Sequence, residues 1–130
     1  MSKPDKPYRK RDINGHMLRP ESLAMGYGYD PHMSEGAIKP PIFQTSTFAF
    51  RTAAEGEATF RGIAGKRIEG DPEDTGLAYS RMNNPSLEVL EDRLTLYDGA
   101  EEALAFSSGM AAITTALMAY AQAGSSILYT

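Results

Sequence analysis

The chain has 130 residues, 42% of them hydrophobic, with a formal net charge of -4 and a pI near 5.1. That is enough for one small domain or part of a larger one, and too apolar for a chain disordered throughout. The acidic balance, with no sustained basic stripe, argues against a nucleic-acid surface, and the lack of cysteine removes any disulfide framework, thiolate nucleophile or cysteine-ligated zinc site.

Residues 1–18 carry Lys3, Lys6, Arg9, Lys10 and Arg11 diluted by Asp5 and Asp12, without the apolar core of a secretory signal, and read as a solvated, mobile tail. His16 and His32 lie among Pro and Gly with no second ligand at helical spacing, so they read as loop histidines and no metal is expected. The most apolar stretch, Met110 to Ala121, is too short and too rich in Ala and Thr to cross a bilayer. A cytoplasmic protein with no membrane contact is expected.

Gly26, Gly28, Pro31, Gly36, Pro40 and Pro41 exclude a long regular element in the next segment. Met25, Tyr27, Tyr29, Ile38, Ile42 and Phe43 are too many apolar side chains for a tether, so residues 19–61 are expected to be an arm buried against the chain's own body or another subunit. Within it, residues 43–50 have strand-type composition, and Thr52 with Glu55 three residues on is a capping-box pattern opening a helix that runs toward Phe60. Residues 62–78, with Gly65, Gly70, Pro72, Gly76 and an excess of acid, read as a surface loop.

Asn84-Pro85 is a helix start, because Asn accepts from the free first-turn amides and Pro does not need the N–H it lacks. Leu87, Leu90, Leu94 and Tyr97 then recur at spacings of three and four, which predicts one buried face, and Gly99 ends the helix. An apolar run, Glu102 to Phe106, leads into Ser107-Ser108-Gly109, a second helix from Met110 to Ala121 with Ile113, Leu117 and Tyr120 on one face, a break at Gly124 and Ile127-Leu128-Tyr129, which reads as a buried strand. Strand, turn, helix, strand is a βαβ unit, which predicts an α/β fold with a parallel sheet. Two strands are no sheet by themselves, so a piece of a larger α/β protein is expected.

A helix that starts directly after a strand at a Ser-Ser-Gly turn aims unpaired N–H groups and the positive end of its dipole outward, where a phosphate fits. Gly109 permits close approach and Ser107 or Ser108 can cap the helix or bond a phosphate oxygen; the same residues also serve as an ordinary N-cap. Tyr79-Ser80-Arg81 supplies a second group suited to phosphate, a bidentate guanidinium beside a phenol, although such a pair is common on any surface.

These residues resemble a known family. Tyr79-Ser-Arg-Met-Asn-Asn-Pro-Ser-Leu-Glu-Val-Leu-Glu, Gly99-Ala-Glu, Ser107-Ser-Gly-Met-Ala-Ala-Ile and Pro40-Pro-Ile-Phe-Gln-Thr-Ser-Thr-Phe are similar to the amino-terminal part of the pyridoxal-phosphate enzymes of cysteine and methionine metabolism, over roughly residues 20–130. Cystathionine γ-synthase, cystathionine γ-lyase, methionine γ-lyase and O-acetylhomoserine sulfhydrylase belong to that family. The resemblance implies the start of the large domain of fold-type I enzymes over residues 79–130, a parallel-rich sheet with helices on both faces, and pyridoxal 5'-phosphate as cofactor.

It implies that the backbone of Gly109 and Met110, with Ser108, holds the phosphate in its own subunit, and that Tyr79 and Arg81 bind the phosphate of a neighbouring subunit. The homo-oligomer would be a dimer of dimers, with the arm of residues 19–61 packing on its neighbour. The implied reaction is γ-elimination or γ-replacement on methionine, cystathionine or an activated homoserine, with lyase and synthase both open. In the family the Schiff-base lysine lies beyond the stretch matched here, and none of Lys3, Lys6, Lys10, Lys39 and Lys66 corresponds to it, so no catalytic residue is expected within this chain. Ala78 stands where eukaryotic cystathionine γ-lyases carry an acid, which disfavours that activity. The alternative is a non-catalytic α/β binding or interaction module; a nucleotide-binding domain is disfavoured because no acid follows a G-x-G-x-x-G pattern.

Overall fold

The computed structural model describes residues 7–72 and 76–129. Its elements are a 3-10 turn at Pro7–Arg9, a hairpin of β1 (Asp12–Ile13) and β2 (His16–Met17), then α1 (Pro20–Leu23), a 3-10 turn at Pro31–Ser34, α2 (Ala53–Ile63), α3 (Pro85–Asp98) and α4 (Gly109–Tyr120). The hairpin closes over Asn14 and Gly15, both at positive φ (53° and 77°), the twist that a two-residue turn between right-twisted strands requires.

The stretch expected as a mobile tail is in this structure fastened to α3 through Arg9, while residues 1–6 lie outside the described residues. Arg9 Nε donates to Asp92 Oδ2 at 2.9 Å, with side chains 11% and 7% exposed. The Gly28 amide donates to the Tyr8 carbonyl at 3.0 Å. Gly28 has φ +78°, and a Cβ there would lie 2.8 Å from the Asp92 Cβ, so backbone and helix meet at a distance only glycine allows. Arg93 Nε donates to the Tyr27 carbonyl at 3.2 Å on the same side.

The core lies where α1 crosses α3. Leu23, Tyr27 and Leu96 are buried together, with Leu18 packed against them, and the Arg11 guanidinium covers the Tyr27 ring at 5.8 Å. Of the arm residues expected to be covered, Tyr27 is buried here, while Met25, Ile38 and Ile42 stay exposed.

Residues 43–50 form no strand element. They run extended beside residues 78–80, joined by the bridge Thr47–Tyr79 and by Phe48 N to the Ala78 carbonyl at 3.2 Å and Ser80 N to the Ser46 carbonyl at 2.9 Å. Thr52 caps α2 as expected, accepting from Glu55 N at 3.1 Å, but Glu55 reaches back to the Arg51 amide (2.6 Å) rather than to that of the cap residue. The loop after α2 is pinned by Asp71, which accepts from Arg61 Nε (3.0 Å), Arg61 Nη2 (2.6 Å) and Ile68 N (3.1 Å).

Helix α3 starts and stops where the sequence places it, capped by Asn84 and ended by Gly99 at φ 62°. Its burial is the reverse of the expected one. Leu87, Leu90, Leu94 and Tyr97 are exposed, whereas Glu91, Asp92, Thr95 and Leu96 are buried. The cause is partnership: Asp92 faces Arg9, and Glu91 Oε1 accepts from Ala105 N at 2.8 Å, so the polar side of the helix is the side this chain covers.

That bond lays residues 102–106 along α3. Neither they nor Ile127-Leu128-Tyr129 pair with another strand, and the described residues contain no parallel ladder. A strand needs a neighbour for its amides and carbonyls, and among the described residues none lies beside either segment; Ile127, Leu128 and Tyr129, expected to form a buried strand, are exposed. Helix α4 forms with Ile113, Leu117 and Tyr120 all exposed, and it ends at Tyr120, one residue before the expected Ala121. Among the described residues no helix is long and apolar enough to cross a membrane.

Candidate functional site

The first half of the candidate site is the N-terminus of α4. Ser108 is its N-cap, in extended conformation (φ -155°, ψ 155°), and its hydroxyl accepts from Ala111 N at 3.2 Å while its carbonyl accepts from Ala112 N at 3.2 Å. The cap therefore consumes the third helical amide and leaves the first two: among the described residues neither Gly109 N nor Met110 N has a hydrogen-bond partner. Ser107, Ser108, Gly109 and Met110 are all exposed. A Cβ on Gly109 would meet nothing within 4 Å, so nothing in the described fold demands glycine there. An apposed group would: a phosphate seated on free amides at the positive end of the helix would lie close to that Cα.

The second half is the turn 79–82. Met82 N and Asn83 N donate to the Tyr79 carbonyl at 2.8 and 3.1 Å, closing the turn. Asn83 braces it from below, accepting from Ala78 N at 3.2 Å and donating to the Gly76 carbonyl at 3.0 Å. Tyr79 and Arg81 emerge together, with the guanidinium 5.3 Å from the ring centroid. Arg81 has neither ion pair nor hydrogen bond among the described residues, so its donors face outward, stacked on a phenol that holds them in place.

No hydrogen bond, ion pair or ring contact joins Tyr79 or Arg81 to Ser108, Gly109 or Met110 among the described residues. The free amides and the free guanidinium are the donor set that a phosphate ester requires, so the residues present fit pyridoxal phosphate at its phosphate end. Sequence reasoning missed the residues that hold the turn: Asn83, and Ser80 with Asn84, whose side chains bond one another at 3.0 Å. The Asn-Asn-Pro run is the available signal; it reads as a helix start and as part of the family motif, and does not reveal the bracing bonds.

His16 lies in β2 and His32 in the turn Pro31–Ser34, both exposed.

The family model of the Cys/Met metabolism PLP-dependent enzymes matches residues 21–130. The chain is 41% identical over 105 residues to an L-methionine gamma-lyase of Pseudomonas putida, covering 81% of this chain and 24% of that protein. It is 39% identical over 107 residues to an O-acetyl-L-homoserine sulfhydrylase of Corynebacterium glutamicum (82% and 22%), and 37% identical over 94 residues to an O-succinylhomoserine sulfhydrylase of Pseudomonas aeruginosa (72% and 21%). The chain thus spans about a quarter of the length of these curated relatives. By the family match over all but its first 20 residues, the chain belongs to the PLP-dependent enzymes of cysteine and methionine metabolism.

Proposed function

We propose that this chain is the phosphate-holding, amino-terminal part of a pyridoxal-phosphate enzyme that eliminates or replaces the γ-substituent of a sulfur amino acid or an activated homoserine. The observation that carries the proposal is the pair of free amides at Gly109 and Met110, left open by the Ser108 cap inside the family-matched segment. The named relatives, a methionine lyase and homoserine sulfhydrylases, support both branches of the reaction class.

When bound, the cofactor supplies an electron sink for bond breaking next to the amino-acid carbon. The work of this chain's residues is binding and orientation. Gly109 N, Met110 N and the α4 dipole fix the phosphate of their own subunit. Tyr79 and Arg81 neutralise the phosphate of a neighbouring subunit, in a homo-oligomer built as a dimer of dimers. The exposed arm residues Met25, Ile38 and Ile42 fit the expected packing of residues 19–61 on that neighbour. The exposed apolar faces of α3 and α4 fit the interior of the fold-type I large domain, where a parallel sheet would lie between helices. A cytoplasmic setting belongs to the same proposal.

The test is turnover by the full-length protein reconstituted with pyridoxal phosphate. Release of 2-oxobutanoate and methanethiol from methionine identifies the lyase branch; homocysteine formed from an acylated homoserine and sulfide identifies the replacement branch. A protein that binds no pyridoxal phosphate and turns over neither substrate overturns the proposal.

A further inference from the structure

We propose that Asn84 and Ser80 are positioning residues that preset Tyr79 and Arg81 for the cofactor phosphate; this rests on the proposed phosphate-binding role of that pair. Capping α3 needs only an acceptor, and Ser, Thr or Asp would provide one. Asn84 does provide it, accepting from Ser86 N at 2.8 Å. Asn alone among the cap residues adds an amide with two donors, and both are used here: Nδ2 donates to the Phe43 carbonyl at 3.2 Å and to Ser80 Oγ at 3.0 Å. Asn84 is 7% exposed, so its side of these bonds is shielded from water.

Ser80 passes the connection on. Its hydroxyl donates to the Thr45 carbonyl, and its amide to the Ser46 carbonyl at 2.9 Å. Phe43 N in turn donates to Ser86 Oγ at 3.1 Å, so Phe43 is tied to the start of α3 through both its amide and its carbonyl. Ser80 stands between the two phosphate residues in sequence. With its side chain drawn toward residues 43–46, its neighbours Tyr79 and Arg81 are left on the exposed side, stacked on each other. The amide of Asn84 therefore couples the arm, the helix and the aromatic-cation pair, and sets the direction in which Arg81 points before any phosphate arrives. Preorganisation of this kind lowers the ordering cost of binding.

Two variants separate positioning from capping in the full-length protein. Asn84→Ser keeps the acceptor for Ser86 N and loses the Nδ2 donors. Ser80→Ala keeps the cap and breaks the relay. Affinities for pyridoxal phosphate and for pyridoxal, which lacks the phosphate, are measured for wild type, both variants and Arg81→Ala. A positioning role predicts that Asn84→Ser and Ser80→Ala each lose affinity for pyridoxal phosphate by about tenfold, the worth of one hydrogen bond at the upper end of its net range, with pyridoxal affinity unchanged. A merely structural role moves both ligands equally.

If Arg81→Ala loses pyridoxal phosphate selectively while Ser80→Ala and Asn84→Ser lose both ligands equally, or neither, the positioning role is overturned and the phosphate role of Arg81 stands. If Arg81→Ala binds pyridoxal phosphate as wild type does, the phosphate role fails and the inference falls with it. Should Asn84→Ser not fold, Ser80→Ala decides by the same ratio.

Discussion

The Arg81 guanidinium carbon stands 5.3 Å from the centre of the Tyr79 ring, two residues away along a closed turn, so each residue limits where the other can go. If the pair binds phosphate, Tyr79→Phe keeps the stacking surface and removes one donor, and should weaken pyridoxal-phosphate binding by about tenfold. Arg81→Ala removes a charged, bidentate partner and should weaken it roughly 10–100-fold. Arg81→Lys should not restore affinity, because a point charge cannot match the fork. Equilibrium dialysis of the full-length variants checks the order.

At the other half of the site, Gly109→Pro tests the amide directly. Proline is tolerated at the first helical position, and Ser108 at φ -155° and ψ 155° already has the extended backbone that a residue before proline requires. The helix should therefore persist by circular dichroism while cofactor affinity falls by about tenfold or more through loss of one charge-assisted bond. Gly109→Ala meets open space in this chain; its loss of cofactor affinity, with thermal stability retained, would report how close the phosphate sits.

Gly28→Ala should be among the costliest single substitutions in the arm. Its φ of +78° is strained for any side chain, at roughly 1–2 kcal/mol, and the new Cβ would lie 2.8 Å from the Asp92 Cβ. Overpacking adds about 1–3 kcal/mol. Denaturant unfolding of the full-length variant should show the sum, with the contact between residues 8–28 and α3 opening first in hydrogen exchange.

Asp71 gives the loop after α2 a pH dependence. The hydrogen bonds from Arg61, then that from Ile68 N, then the charges of Arg61 and Arg67 lower its pKa from 3.8 to about 2. The same hydrogen bond, with the charges of Asp71 and Glu57, raises that of Arg61. A carboxylate whose pKa is lower folded than unfolded stabilises the fold above the unfolded value and loses that contribution as pH falls through the folded one. Local protection of residues 66–71 from hydrogen exchange should thus hold at pH 5 and fall between about pH 4 and pH 2, and this pH dependence should be lost in Asp71→Asn.

What could be read from the sequence was local. Thr52 and Asn84 are legible as caps because a cap is decided within three residues, and Ser108 is one of two candidates with Ser107; all three accept from an amide two or three residues on. The burial of α3 was not legible, since a helical period finds a helix but does not say which side meets a partner. Arg9 and Asp92 are 83 residues apart in sequence, and Asn84 and Phe43 are 41 apart. No short window holds such pairs. The same limit explains the segments at 102–106 and 127–129: their composition suits strands, but pairing and burial depend on strands that the described residues do not set beside them. The hairpin at 12–17 was missed although Asn14-Gly15 announced it, because the surrounding charge suggested a solvated tail.

We propose that the phosphate clamp closes between two copies of this protein. Full-length Arg81→Ala and Gly109→Pro proteins, each deficient in cofactor on its own, can be unfolded together and reassembled as mixed oligomers, and bound pyridoxal phosphate counted per subunit. A clamp shared across subunits gives each mixed dimer one site with both halves intact, so bound cofactor should rise above that of either parent. No rise over the parents in verified mixed oligomers would contradict the account, because it would mean that Arg81 and Gly109 act on the same phosphate within one chain.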